Sequence, residues 1–275
     1  MNATALTRAR PRRALAHTAV VTRRNLLANV RLPDVLVLST VQPVTFMVMF
    51  LYVFGGAIQH TLPAAAGGRY INWLVPGILA QSAVFGATPT AFGLNTDRAS
   101  GVIDRFRSLP MARSAVLAGR TAADLIRNAA ILALQFGVGL LLGFRWHTSA
   151  WALAAALGVA LAFGYACSWI MAALGLAIRN TEAIQAAVYM VVFPLTLTSS
   201  VFLPTRTMPG WLQAFAEHQP ITVVAGALRG LTLGHGALPT GHTVAGQVLL
   251  ALGWTAGILA VFAPLAVRTY RRATS

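Results

Sequence analysis

The chain has 275 residues, of which 57% are apolar and only 10% charged, and its mean hydropathy is +0.68. A soluble domain carries about 25% charged residues, so this composition excludes a water-soluble globular protein. Six acids stand against 21 basic residues, all of them arginine, for a net charge of +15. Such a balance suits a nucleic-acid-binding face. Here the arginines stand between long apolar runs, which points to a membrane and away from nucleic acid.

Residues 1–11 read as a disordered basic tail. Residues 12–32 are too polar to span: Arg13, His17, Arg24 and Arg31 mark one side of a helix, and Leu15, Ala19, Leu26 and Val30 another. That pattern predicts a basic amphipathic helix lying on the membrane surface. The first apolar run follows Pro33 and is long enough to cross, so no removable signal peptide is expected.

A hydrocarbon core about 30 Å thick takes about 20 apolar residues in a helix. Six runs of that size occur, at Val35–Ile58, Ile71–Leu94, Ala115–Phe144, Ala150–Ile178, Ala183–Leu203 and Val244–Val267. Lipid cannot satisfy exposed backbone groups, and the runs are unbroken and two to three times the length of a barrel strand, so they are read as helices. The expected fold is an all-α polytopic membrane protein of one domain, with a membrane part over 35–267 and a tail over 268–275. Between the last two spans, Thr207–Trp211 reads as a turn and helix start, and Pro220 opens the apolar stretch Ile221–Leu233. That stretch is too short to cross and is expected to be re-entrant, as shielded segments can be.

Arginine placement predicts the orientation. Arg8, Arg10, Arg12, Arg13, Arg23, Arg24 and Arg31 precede the first span. Arg98, Arg105, Arg107 and Arg113 lie between spans two and three, Arg179 between four and five, and Arg268, Arg271 and Arg272 in the tail. The opposite side has only Arg69, Arg145, Arg206 and Arg229, with Arg120 and Arg127 inside span three. Both termini are therefore expected in the cytosol of a multi-pass plasma-membrane protein.

Catalytic signatures are sparse. A phosphate-cradling G-x-x-x-x-G-K-[ST] loop needs a lysine, and there is none. The chain is thus expected to bind no ATP, cofactor or metal itself, and not to be an enzyme. Its six histidines form no H-E-x-x-H, no G-x-S-x-G elbow is present, and Cys167 is a lone thiol in an apolar run. This sets a lipid-modifying enzyme low. A proton-coupled secondary carrier needs a mid-membrane carboxylate, for which Asp124 is the candidate; its spacing from Arg120 and Arg127 also suits local ion pairs. Intramembrane amides at Gln42, Gln81 and Gln135 are candidates for a substrate path, although such residues also bond helix to helix. Gln185 is a further amide.

The stretch Asn95–Arg113 is more than a connector. It holds six charges yet keeps Val102, Ile103, Phe106 and Leu109 at helical spacing, and Pro110 ends the helix. A short amphipathic helix of this kind can dock into a partner's groove.

Gly101-x-x-Asp104-Arg105-Phe106-Arg107-Ser108-Leu109-Pro110, followed by Leu117-x-Gly119-Arg120, resembles the signature loop of the ABC type-2 transport permeases. The similarity is nearest to the daunorubicin-resistance-type exporter permeases. Phe202-Leu-Pro204, Met208-Pro-Gly-Trp-Leu-Gln213, Glu217-His-Gln-Pro220 and Ala227-Leu-Arg229 follow in the family's order. The loop departs from the family's frequent acid–base–acid opening, reading Asp97-Arg98-Ala99. The resemblance implies a permease subunit of an exporter for drugs or lipids, paired with a second copy or a paralogue. Separate ATPase subunits would carry ATP and Mg. It also implies a coupling helix at Asp97–Pro110 that includes Arg98, Gly101, Asp104, Arg105, Phe106, Arg107 and Leu109, and a smaller contact at Arg179 and Glu182.

Overall fold

The computed structural model describes residues 33–273 except 64–65, 101–112, 179 and 240. The expected basic tail over 1–11, the expected amphipathic helix over 12–32, the stretch Gly101–Pro110 and Arg179 lie outside the described residues. Within them every regular element is a helix, and no strand occurs among the described residues.

The first apolar run forms α1 (Pro33–Met49), a π turn (Phe50–Phe54) and α2 (Gly55–Ile58). The second forms α3 (Tyr70–Phe85) and α4 (Thr88–Ala99), and the third α5 (Arg113–Leu141). The fourth forms α6 (Ala150–Ala177) and the fifth α7 (Thr181–Leu197). Two short helices follow, α8 (Gly210–His218) and α9 (Pro220–Leu233), and then the long α10 (Val244–Ala273). Four helical stretches are long and apolar enough to cross a membrane: Thr40–Ile58, Ala123–Leu141, Ala150–Ala177 and Val244–Tyr270. Thr181–Leu197 and Pro220–Leu233 are shorter apolar helices.

Two of the six runs differ from the expectation of an unbroken helix. The run Ile71–Leu94 breaks at Gly86–Ala87. Pro89 has no N–H to offer the carbonyl of Phe85, four residues back, and its ring would collide with it. That carbonyl instead accepts from Thr88 Oγ1 at 2.8 Å. The run Ala183–Leu203 ends as a helix at Leu197, where Thr198 Oγ1 and its backbone N–H both turn back onto the carbonyl of Pro194. In the other direction, α10 continues past Val267 to Ala273.

The centre of the bundle is α6, which packs on α3, α4, α5, α9 and α10. It starts at an N-cap, with the Ser149 hydroxyl accepting from Ala152 N–H at 3.2 Å. Small residues set how closely its neighbours approach. A Cβ on Gly175 would stand 2.3 Å from the Ala91 carbonyl oxygen, so α4 meets α6 backbone to backbone. Large apolar side chains are buried between helices (Leu74, Ile78, Phe163, Leu176) and equally large ones are exposed outward (Val53, Leu134, Trp151, Val261). A protein apolar on both its inner and outer faces has hydrocarbon as its solvent.

Candidate functional site

The three amides singled out from the sequence meet at one place. Gln42 on α1, Gln81 on α3 and Gln135 on α5 line a cavity of about 120 Å³. On α5, Arg127, Ile131 and Gln135 follow at intervals of four and so share one face. Ser82 and Phe85 accompany Gln81 from α3, and Tyr189 reaches in from α7 with its ring 6.5 Å from that of Phe85. Gln42 is exposed and Gln81 is buried. Gln135 is only 1% exposed, yet neither its Oε1 nor its Nε2 has a protein partner. The buried Ser82 Oγ is likewise without one. A second, apolar groove of about 360 Å³, lined by Val41, Val44, Leu134 and Val138, meets the first at Ile131.

Beside the cavity lies the break in the second run. Asp124 is 6% exposed and forms an ion pair with Arg127 (Oδ1 to Nη2, 3.1 Å). It also accepts from Thr90 Oγ1 on α4, while Arg127 Nη2 donates to the carbonyl of Gly86 at 2.9 Å. One acid–base pair on α5 thus holds the end of α3 and the start of α4 together. Gly86 makes room for this, because a Cβ there would lie 2.3 Å from Asn128 Oδ1. The sequence spacing anticipated the Asp124–Arg127 pair; the partners Thr90 and Gly86, distant in sequence, had no local signal.

At the end of α4, Asn95 Nδ2 donates to the carbonyl of Ile178, and Thr181 Oγ1 donates to Asn95 Oδ1, both at 2.9 Å. Arg98 Nη1 donates to the carbonyl of Leu176, also at 2.9 Å. The root of the Asp97–Pro110 stretch is therefore fastened to the α6–α7 turn, where the second cytosolic contact was expected. Of the residues expected there, Asp97, Arg98 and Glu182 are described; Glu182 is exposed at the first turn of α7, which Asn180 caps through Glu182 N–H.

Sequence reasoning placed Arg229 among the loop arginines and in the Ala227–Arg229 motif but gave it no structural role. It is 1% exposed. Its Nε donates to the Trp73 carbonyl at 3.1 Å, its Nη1 to Ser200 Oγ at 2.9 Å, and its Nη2 to the Ser200 and Val201 carbonyls at 2.7 and 3.2 Å. The guanidinium also stacks 3.6 Å over the Trp73 ring. Tyr70 Oη donates to the neighbouring Phe202 carbonyl at 2.8 Å. The available clue was one arginine inside the apolar stretch Ile221–Leu233.

Residues 16–233 match the family model of the ABC-2 type transporters. The chain is 38% identical over 266 residues to the daunorubicin resistance ABC transporter permease protein DrrB1 of Streptomyces coeruleorubidus, covering 95% of this chain and 89% of that one. It is 29% identical over 262 residues to the probable doxorubicin resistance ABC transporter permease protein DrrC of Mycobacterium tuberculosis, covering 95% and 90%. The doxorubicin resistance ABC transporter permease protein DrrB of the same organism is 29% identical over 199 residues, covering 71% and 69%. The family model spans most of the chain, its apolar helices are those of a multi-pass bacterial plasma-membrane protein, and the protein belongs to the ABC-2 type transporter family.

Proposed function

We propose that this chain is the transmembrane permease of an ATP-binding-cassette exporter that moves a hydrophobic or amphipathic substrate, a drug or a lipid, out across the plasma membrane. Its six apolar runs cross with both termini in the cytosol, and α8 and α9 enter from outside without crossing. Two permeases pair, as copies or paralogues, and separate ATPase subunits holding ATP and Mg dock beneath them. This chain hydrolyses nothing itself.

The observation that carries the reading is the fastening of α4 to the α6–α7 turn through Asn95, Arg98 and Thr181. The stretch Asp97–Pro110 leaves from that root, with Phe106 and Leu109 as its apolar docking side chains. A push on it would reach α4 and α7 together. It would also load the Asp124–Arg127 clamp at the break in span two. ATPase closure then favours the outward state by binding one permease arrangement more tightly than the other.

The test is co-purification in mild detergent. A stoichiometric ATPase retained by the wild-type chain and lost with Phe106→Asp supports the assignment. Recovery of the intact chain without any ATPase overturns it and returns weight to a proton-coupled carrier, for which Asp124→Asn is the next variant.

A further inference from the structure

The buried amide of Gln135 is chemically unfinished. Leaving a buried polar group unpaired is costly, and Gln135 has both a donor and an acceptor unused at 1% exposure. The Ser82 hydroxyl, also unpartnered, lines the same cavity, with Gln81 beside it in sequence. A polar cavity of about 120 Å³ has room for several non-hydrogen atoms. What enters must offer hydrogen-bond donors and acceptors at short range.

The charge around the cavity narrows the ligand further. No carboxylate stands among the lining residues, and Arg127 is one of them. The nearest acid on that helix, Asp124, is already held by Arg127 and Thr90. An ammonium group placed here would meet a guanidinium and no counter-charge. Hydroxyl, carbonyl, ester and amide groups meet amides and a hydroxyl that lack partners. The adjoining groove of Val41, Val44, Leu134 and Val138 is apolar and joins the cavity at Ile131.

Building on the exporter reading above, we infer that Gln81, Ser82 and Gln135 form a subsite for the uncharged, oxygen-bearing part of an amphipathic substrate, whose apolar part lies toward the Ile131 groove. The subsite discriminates by hydrogen bonding. A ligand without oxygen functions leaves its amides unpaired, and such a site rejects that ligand more strongly than an apolar pocket rejects an extra methylene.

The experiment measures binding to the full-length chain in lipid nanodiscs, against empty nanodiscs. The probes are daunorubicin, which carries an amine, and its N-acetyl derivative, which has the same oxygenated rings and no charge. The wild type should bind the N-acetyl form at least as tightly as the amine. Gln135→Leu should weaken both about tenfold, the equivalent of ~1.4 kcal/mol. Gln135→Glu, which supplies a carboxylate, should move the preference toward the amine about tenfold. Ser82→Ala removes one small unpartnered hydroxyl and should weaken both probes two- to threefold; it decides the matter if Gln135→Leu does not fold. Wild-type binding of both probes with variants that follow it unchanged means that the cavity holds water only, and the subsite alone falls. If the wild type binds neither probe, the subsite falls, while the exporter reading stands or falls separately on the retained ATPase.

Discussion

Two buried arginines organise two regions of this bundle in opposite ways. Arg229 has carbonyls, a hydroxyl and an indole face around it, and it donates from Nε and both terminal nitrogens to Trp73, Ser200 and Val201. Arg127 instead faces an acid of its own helix, and its surroundings keep unused polar atoms on Ser82, Asn128 and Gln135. In the first region every guanidinium nitrogen of Arg229 has a partner, although the Trp73 indole N–H beneath it has none, so the guanidinium fixes the joint between α3, α9 and the turn at 199–202. The second is polar and open, so it has capacity left for a ligand or for rearrangement. Fully satisfied buried networks hold one geometry, and partly satisfied ones invite another partner.

The sharpest way to break the contrast is Arg229→Leu. It strands the Trp73, Ser200 and Val201 carbonyls, and a loss on the order of 4 kcal/mol is expected, read as the midpoint of SDS-induced unfolding. Arg229→Lys should recover less than half of it, since an ammonium cannot reproduce the fork or the stacking. Asp124→Asn is next, at about 2–3 kcal/mol, because it removes the carboxylate charge that Asp124 sets against the buried Arg127. Combined with Arg127→Gln it should cost less than the two single changes added together, a coupling that a double-mutant cycle detects. Gly86→Ala should cost about 1–3 kcal/mol by forcing a Cβ onto Asn128, with partial relief from Asn128→Ala. Thr88→Ala is the smallest change, about 1 kcal/mol or less, from the lost bond to the Phe85 carbonyl; thermal melting in detergent would resolve it. If Arg229→Leu proves milder than Asp124→Asn, the assignment of the rigid and the open regions is reversed.

Much of this was legible in the chain. The six apolar runs are helical over most of their length, with a break in the second and an early end to the fifth, since burying backbone in lipid leaves few other choices. The amides at 42, 81 and 135 were visible as polar atoms inside apolar runs, and their meeting in one cavity needed only that α1, α3 and α5 be neighbours. The break at Gly86–Ala87 was written in Thr88-Pro89 but hidden by the continuous hydropathy of the run. Arg229 was illegible for another reason. Its partners lie about 30 and more than 150 residues away, and no local pattern reports a carbonyl that arrives from another helix.

The π turn at Phe50–Phe54 has a consequence for how the chain tolerates changes in length. A π turn is an α-helix holding one residue too many, and here it brings Phe50 onto Phe202 at 4.1 Å, with Phe54 5.0 Å further along. Removing one residue from the turn would let the helix relax to ordinary winding while Gly55 keeps its place against Tyr70. The same deletion a few turns earlier would swing every later side chain by about 100°. The first helix therefore carries its slack at one site, and a shortened relative could lose a residue there and still align on both sides of it.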